Sequence, residues 1–452
     1  MTRKNIPAKS DTHYWTPLLP GFVSRIPTAV TVAFLVAVFV NYALGFNKQV
    51  AKNNSAASKT LVATERVDHL DRLAREPMVV ELSDGTLFVS GYDGDADKSP
   101  NLWRSHDRGA TWESVNVGGK ADAAIGNSDV DLAVSRDDTL YFVVMSFDRK
   151  AGEGTRITVG VTKNAGATWS WKILSENRFD DRPWVAVAPN GTAHVIWNDG
   201  NGIRHAVSQD DGASWNVQPR INDQGGSSHL SIGSHGEVAV RVVPLSASGN
   251  KFTEGVDLIA VSFDGGKTWQ KHAAPGQRDW SPDFSKGTPR WVEPVAWDES
   301  GALYYLWGTT KGLWLARSFD HGETWTNWHI VERDEVSYYP YLIARGRGEL
   351  AATWSSGQNE TSKCMWLESM LARVKPRLES SNRNHFKLTL GQRYRRNIRQ
   401  IRCIELRQAS TYQSHFYARE AWALSLRFRI GPRSDSGLHG GNSSPAEVVR
   451  MS

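Results

Sequence analysis

The sequence predicts an all-β chain folded as a six-bladed β-propeller, and three observations predict it. An octapeptide phrase returns five times: Ser105-His-Asp-Arg-Gly-Ala-Thr-Trp112, Thr162-Lys-Asn-Ala-Gly-Ala-Thr-Trp169, Ser208-Gln-Asp-Asp-Gly-Ala-Ser-Trp215, Ser262-Phe-Asp-Gly-Gly-Lys-Thr-Trp269 and Ser318-Phe-Asp-His-Gly-Glu-Thr-Trp325. Its third residues, Asp107, Asn164, Asp210, Asp264 and Asp320, stand 57, 46, 54 and 56 apart, a period that marks a repeat array. Ahead of each phrase lies a run of β-branched and aromatic residues broken by a Gly- or Asp-bearing turn, which reads as two strands joined by a hairpin. Between about Arg75 and Trp354 no long helical periodicity competes.

Each element has its own reason. In the phrase, Asp or Asn can bond the backbone two residues on, and the following Gly accepts positive φ. The Ser and Thr hydroxyls close the turn, and the Trp anchors an otherwise polar hairpin. The strand runs begin at Met78-Val-Val, Val130-Asp-Leu, Trp184-Val-Ala, Leu230-Ser-Ile, Val292-Glu-Pro-Val and Tyr339-Pro-Tyr-Leu. Each unit therefore reads strand, turn, strand, loop, strand, turn, strand, and six such units make a propeller spanning 75–372. The sixth has two clear strands, a candidate third at Lys363–Leu367 and no octapeptide of its own. Residues near Leu61–Val67 are expected to supply an outer strand to it, so that neither edge is left open.

Charge divides the chain. From Thr361 onward 17 Lys and Arg face 6 Asp and Glu, while the preceding residues carry 36 against 42. A basic tail on an acidic body gives no reason to expect nucleic-acid binding by the propeller. Arg393–Arg402 lacks strand periodicity, so 373–452 is expected to be an irregular basic tail outside the functional machine. Cys364 and Cys403 both lie beyond the repeats, so the fold owes nothing to disulfides.

Ile26 to Phe46 is 21 residues without a charge, about 30 Å as a helix. The lead, 1–25, carries Arg3, Lys4, Lys9 and Arg25 and is long for a cleaved signal. A transmembrane signal anchor is expected at 26–46, then a linker at 47–74, with the propeller on the extracytoplasmic side. A cleaved signal and a cytosolic core element are the alternatives.

No Gly-rich phosphate loop, His-x-x-x-His pair or cysteine ligand set appears, so no cofactor or metal is expected. The loop Asp93-Gly-Asp95-Ala-Asp97 alternates carboxylates, yet Arg104 stands where a calcium loop of the EF-hand kind needs Glu; its ordinary reading is a solvated acidic loop. Trp184, Trp197, Trp291, Trp297, Trp307 and Trp314 are read as blade packing, with one or two at the top face free to stack on a sugar ring.

The phrase Ser-x-Asp-x-Gly-x-Thr-Trp resembles the Asp box of the sialidase superfamily, and the likeness runs over about 75–360. It implies that the boxes are architectural and peripheral. It also implies a central site in which three arginines grip a carboxylate sugar, a Tyr assisted by Glu attacks, and an Asp serves as acid and base. Arg75-Glu76-Pro77 is similar to the family's Arg-Ile-Pro, Asp93 and Asp95 stand in the loop that supplies the acid, and Tyr339 with Leu342 matches Tyr-x-x-Leu. The chain departs elsewhere. Ser227 and Val243 occupy the places of the Glu and second Arg, with Arg241 nearby, and Lys311 replaces the third Arg. Lysine keeps the charge without the fork.

The resemblance implies Tyr339, Asp93 and Asp95 as catalytic candidates, and Arg75, Arg241 and Lys311 as substrate-binding candidates. The expected function is a membrane-anchored, carbohydrate-directed propeller, a glycoside hydrolase for acidic sugars such as sialic acid. A propeller that binds glycan or protein without catalysis is the alternative.

Overall fold

Strand pairing follows the alternation in the sequence. The computed structural model describes residues 63–72, 74–93, 99–244, 257–276, 293–332, 336–357, 366–376, 386–394 and 447–451. These belong to a compact unit, Ala63–Ser452; the other unit is Met1–Val62. After β1 (Ala63–His69), the first sheet holds β2 (Arg75–Glu81), β3 (Leu87–Tyr92), β4 (Asn101–Ser105) and β5 (Glu113–Ser114). The second holds β6 (Ser128–Val134), β7 (Leu140–Asp148), β8 (Glu153–Thr162) and β9 (Ser170–Ser175). The third holds β10 (Asp180–Val187), β11 (Ala193–Asp199), β12 (Ile203–Ser208) and β13 (Asn216–Asn222). The fourth holds β14 (Gly226–Ile232), β15 (Val238–Val243), β16 (Leu258–Ser262) and β17 (Gln270–Ala273).

The fifth set is β18 (Val295–Trp297), β19 (Leu303–Thr309), β20 (Gly312–Ser318) and β21 (Thr326–Glu332). A further antiparallel run follows, β22 (Val336–Arg345), β23 (Glu349–Gly357), β24 (Trp366–Pro376) and β25 (Phe386–Tyr394). One parallel bridge, Gly312 to Val336, merges these eight strands into a single sheet. First strands adjoin in succession, β2 beside β6, β6 beside β10, and so on to β18 beside β22. The chain is an all-β propeller.

Each interface between sheets has its own core. Phe88, Leu102, Leu132 and Phe142 fill the first; Tyr141, Val159, Val195 and Trp197 the second; Ile196, Ile203, Val240 and Ala260 the third. Ile259, Val261, Tyr305 and Trp307 fill the fourth, and Leu306, Leu315, Leu350 and Trp354 the fifth. Trp103, Trp197 and Trp307 are at most 2 % exposed, and a fully buried large apolar side chain stabilises by about 1.5–3 kcal/mol.

All five octapeptides lie between the third and fourth strands of their sheets, and their geometry repeats. The first hydroxyl donates to the Asp or Asn Oδ1 at 2.7–2.9 Å and accepts from the Gly N–H at 2.7–3.0 Å. The backbone N–H of Thr or Ser four residues on donates to the same oxygen at 2.8–2.9 Å. The glycine has positive φ as expected, and so does the residue before it: Arg108 61°, Ala165 52°, Asp211 53°, Gly265 73°, His321 62°. In an antiparallel sheet this turn shares its end with the first-to-second turn. The boxes therefore lie at the end opposite the mouth, where first strands begin.

These bonds hold Asp107, Asp210, Asp264 and Asp320 down at about 2, from an ordinary 3.8. At Asp107 and Asp320 burial pushes upward and the hydrogen bonds outweigh it; at Asp210 and Asp264 the hydroxyl of Ser214 or Thr268 is the largest influence. A depressed native pKa stabilises above the unfolded value and is lost as protons bind. The melting temperature is therefore expected to fall as pH drops from about 4 to about 2. The alanine variant of Asp264 should show a shallower fall, and an equal slope would remove these carboxylates as its cause.

Two expectations change, and a third falls outside the described residues. The strand near Leu61–Val67 exists as β1, but it pairs with β26 (Glu447–Met451) in a separate two-stranded sheet; β25 takes the outer place beside β24 instead. The tail is not irregular throughout, since β24 runs past 372 to Pro376, and Phe386, Leu388 and Leu390 alternate with Lys387, Thr389 and Gly391 in β25. The span 26–46 lies outside the described residues, and among those described no helix is long and apolar enough to cross a membrane.

Candidate functional site

The mouth is built from bulges. The ladder shifts register near the start of β2 (Arg75/Met78), β6 (Ser128/Val130), β10 (Asp181/Trp184), β14 (Ser227/His229) and β22 (Tyr338/Tyr341). A bulge leaves its extra residue out of the ladder and re-aims its side chain. Four prolines sharpen the break: Glu76-Pro77, Arg182-Pro183, Glu293-Pro294 and Tyr339-Pro340. Glu76 (φ 47°) and Arg182 (φ 51°) are held in the left-handed region, a conformation that costs on the order of 1–3 kcal/mol in a non-glycine residue. Neighbouring sheets are stitched by side chains that accept from the next first strand. Asp131 Oδ2 accepts from Val185 N–H at 2.8 Å, and Asn198 Oδ1 from Ser227 N–H at 2.9 Å.

Just inside the bulges three rings from three strands meet. His229 of β14 packs edge-on against Trp184 of β10 at 5.5 Å between centroids, and against Tyr341 of β22 at 5.6 Å. All three are half-buried, and Trp184 Nε1 is buried without a hydrogen-bond partner. Around them lie Asp129, Asp131, Asp181 and Arg182, each under 10 % exposed, with Arg182 3.5 Å from Asp181. Asp180 is fully buried, and burial raises its carboxyl to about 6; with no solvent face it belongs to the scaffold.

The sequence candidates distribute unevenly. Arg75 begins β2 opposite Tyr92, so Asp93, the next residue, shares its end of the sheet. Tyr339 lies in β22 at the corresponding end, and Asp95 falls outside the described residues. Lys311 is exposed in the β19–β20 turn. Arg241 is a correction. Its side chain is 0 % exposed and its guanidinium meets Asp257 at 2.5 Å and Glu293 at 2.9 Å, with Tyr305 Oη at 3.3 Å. A guanidinium enclosed by its own carboxylates has no fork to offer a ligand, so Arg241 is a structural cation joining the fourth and fifth sets.

The BNR/Asp-box repeat family matches residues 260–271, which contain the whole fourth octapeptide, and its hydrogen bonds recur in the other four. The chain is an all-β propeller that carries the BNR/Asp-box repeat. No curated protein matches the sequence. Among solved structures the propeller is similar to virginiamycin B lyase from Staphylococcus aureus (15 % identity, 72 % of this chain, 88 % of that one, TM-score 0.41). It is also similar to the Hadza microbial sialidase Hz136 (14 % identity, 62 % of this chain, 63 % of that one, TM-score 0.41). A third is the Penicillium chrysogenum alpha-L-arabinanase (15 % identity, 64 % of this chain, 90 % of that one, TM-score 0.42). Thus the chain spans less than two thirds of the microbial sialidase.

Sequence reasoning missed His229, Tyr341, Asp257 and Glu293 of this Asp-box propeller, and it placed Trp184 only among packing residues. One signal was present. Glu76, Arg182, Glu293 and Tyr339 each precede a proline eight or nine residues before a turn glycine, a shared place in the repeat that marks the mouth.

Proposed function

We propose that this propeller is carbohydrate-directed and that its mouth binds a glycan over Trp184, His229 and Tyr341. The observation that carries this is the convergence of those rings from three first strands at the mouth. A sugar supplies the complement, an apolar C–H face for the rings and hydroxyls for the polar side chains beside them. The carboxylates of Asp129 and Asp181 suit sugar hydroxyls, and Arg241 is withdrawn from the clamp that an acidic sugar needs. Binding without catalysis is therefore the reading favoured here, with β22–β25 counted as the sixth blade.

Hydrolysis of acidic sugars is the second reading, supported by Arg75 and Asp93 at one end of the first sheet and by the position of Tyr339. The full-length protein is tested on a glycan array and on fluorogenic sialosides and neutral glycosides. Array binding without turnover is expected. Turnover abolished by Tyr339→Phe would establish the enzyme instead. We place the propeller outside the cytoplasm, tethered through 26–46, on the uncharged span behind a basic lead; resistance to protease in intact spheroplasts would reverse that orientation.

A further inference from the structure

A second recess lies far from the mouth, at the Asp-box end between the third and fourth sheets. It has a volume of about 440 Å³, within the range of small-ligand pockets. Asn190, Thr192, His194, Gln209, Asn216 and Gln218 contribute to its wall, and Phe263 of the fourth octapeptide stands at its edge. Phe263 is 46 % exposed, and its counterpart Phe319 in the fifth octapeptide 52 %; the Phe263 ring meets the edge of His321 at 4.6 Å.

The recess has a structural origin. Phe88, Tyr141 and Tyr304 occupy one register position in the first, second and fifth sheets, opposite Arg104, Val161 and Arg317. The aromatic rings Phe88 and Tyr141 there reach the box glycine of the next sheet, Gly166 and Gly212. In the third sheet the position holds His194, opposite Val207. Its imidazole is smaller and polar, and it stacks on His205 at 5.3 Å, with Nδ1 3.1 Å from His205 Nε2. His205 in turn replaces the aliphatic Leu102, Val159, Ile259 and Leu315 of the other sheets, as their pairings show. Both imidazoles are at most 1 % exposed, and burial lowers them to about 4 and about 3. They are neutral, so their contact needs one donor and one acceptor, and the tautomer of one ring sets that of the other.

Apart from the exposed Lys267 and His235, which also line it, the wall is suited to uncharged polar groups. Its amides and hydroxyl each offer a donor and an acceptor, and the carboxylate of Asp264 is spent on its own turn. One exposed aromatic face beside neutral hydrogen-bonding groups is the chemistry of sugar recognition. We infer that this recess is a second glycan site, taking the neutral end of an oligosaccharide with a sugar ring against Phe263 and hydroxyls against Gln209 and Asn216. It is independent of the mouth, since the two lie at opposite ends of the strands.

The test is titration calorimetry of the full-length protein with the neutral trisaccharide that binds best on a glycan array. Two classes of site are expected. Phe263→Ala and Gln209→Ala, both at exposed positions, should each weaken one class at least 10-fold while the melting temperature and the other class stay unchanged. If a single class is found and these variants abolish it, the recess stands and the mouth reading fails. Binding indifferent to both variants, or no neutral glycan bound at all, overturns the inference.

Discussion

Arg241→Leu is expected to destabilise the protein by about 3–5 kcal/mol, the usual cost of removing one partner from a buried ion pair. Arg241 is the largest charged side chain that is fully enclosed, and Asp257 and Glu293 beside it are 6 % and 2 % exposed. The guanidinium also donates to the carbonyls of Val242 and Leu258, and it lies 5.3 Å over the Tyr305 ring. Leucine fills part of the volume and supplies no donor, so two buried carboxylates lose their shared cation while Glu293 keeps the hydroxyl donor of Tyr305. Arg241→Lys keeps the charge but cannot reach both acids at once, and should fall between the two. Urea unfolding measures the series. A loss below about 1 kcal/mol for the leucine variant would mean that the carboxylates are solvated and the enclosed cluster is wrong.

The second large effect is expected at Gly308, in β19. A Cβ there would stand 1.9 Å from the carbonyl oxygen of Ser337 and 2.8 Å from its carbon. Both are backbone atoms of β22, so no side-chain rotation relieves the clash, and one strand must move. Overpacking of this kind costs about 1–3 kcal/mol and occasionally more; Gly308→Ala should lie at the upper end, near 3 kcal/mol. Gly119→Ala is the control, since its Cβ would meet nothing within 4 Å. Equal stability of the two variants would show that β22 does not pack on the fifth set, and the eight-stranded sheet would have to be divided.

What the sequence revealed, and what it hid, follows from the range of the interactions. The octapeptide turn was legible because its hydrogen bonds join residues two to four apart, so its whole chemistry is written contiguously. The core was legible for the same reason: Val79, Phe88 and Val89 announce strands by type and alternation. Arg241 was not, because its partners lie 16 and 52 residues away, and nothing in Val-Ala-Val-Arg-Val-Val distinguishes an arginine facing a ligand from one facing acids. The ring cluster was hidden by the bulges. A register shift between Ser227 and His229 decides which side chains enter the axis, and no residue in Gly226–Ile232 spells it. β25 was legible and overlooked, since the charge of the tail masked the alternation of Phe386, Leu388 and Leu390.

The central claim is that the mouth, and not the repeated Asp-box turn, is where this propeller meets its principal ligand. The direct measurement is a crystal structure of the full-length protein with the glycan selected on the array. The expected result is a sugar ring seated at the mouth with its C–H face against Trp184, His229 and Tyr341. A saturated crystal in which the axis is empty and sugar lies only elsewhere on the surface would contradict it.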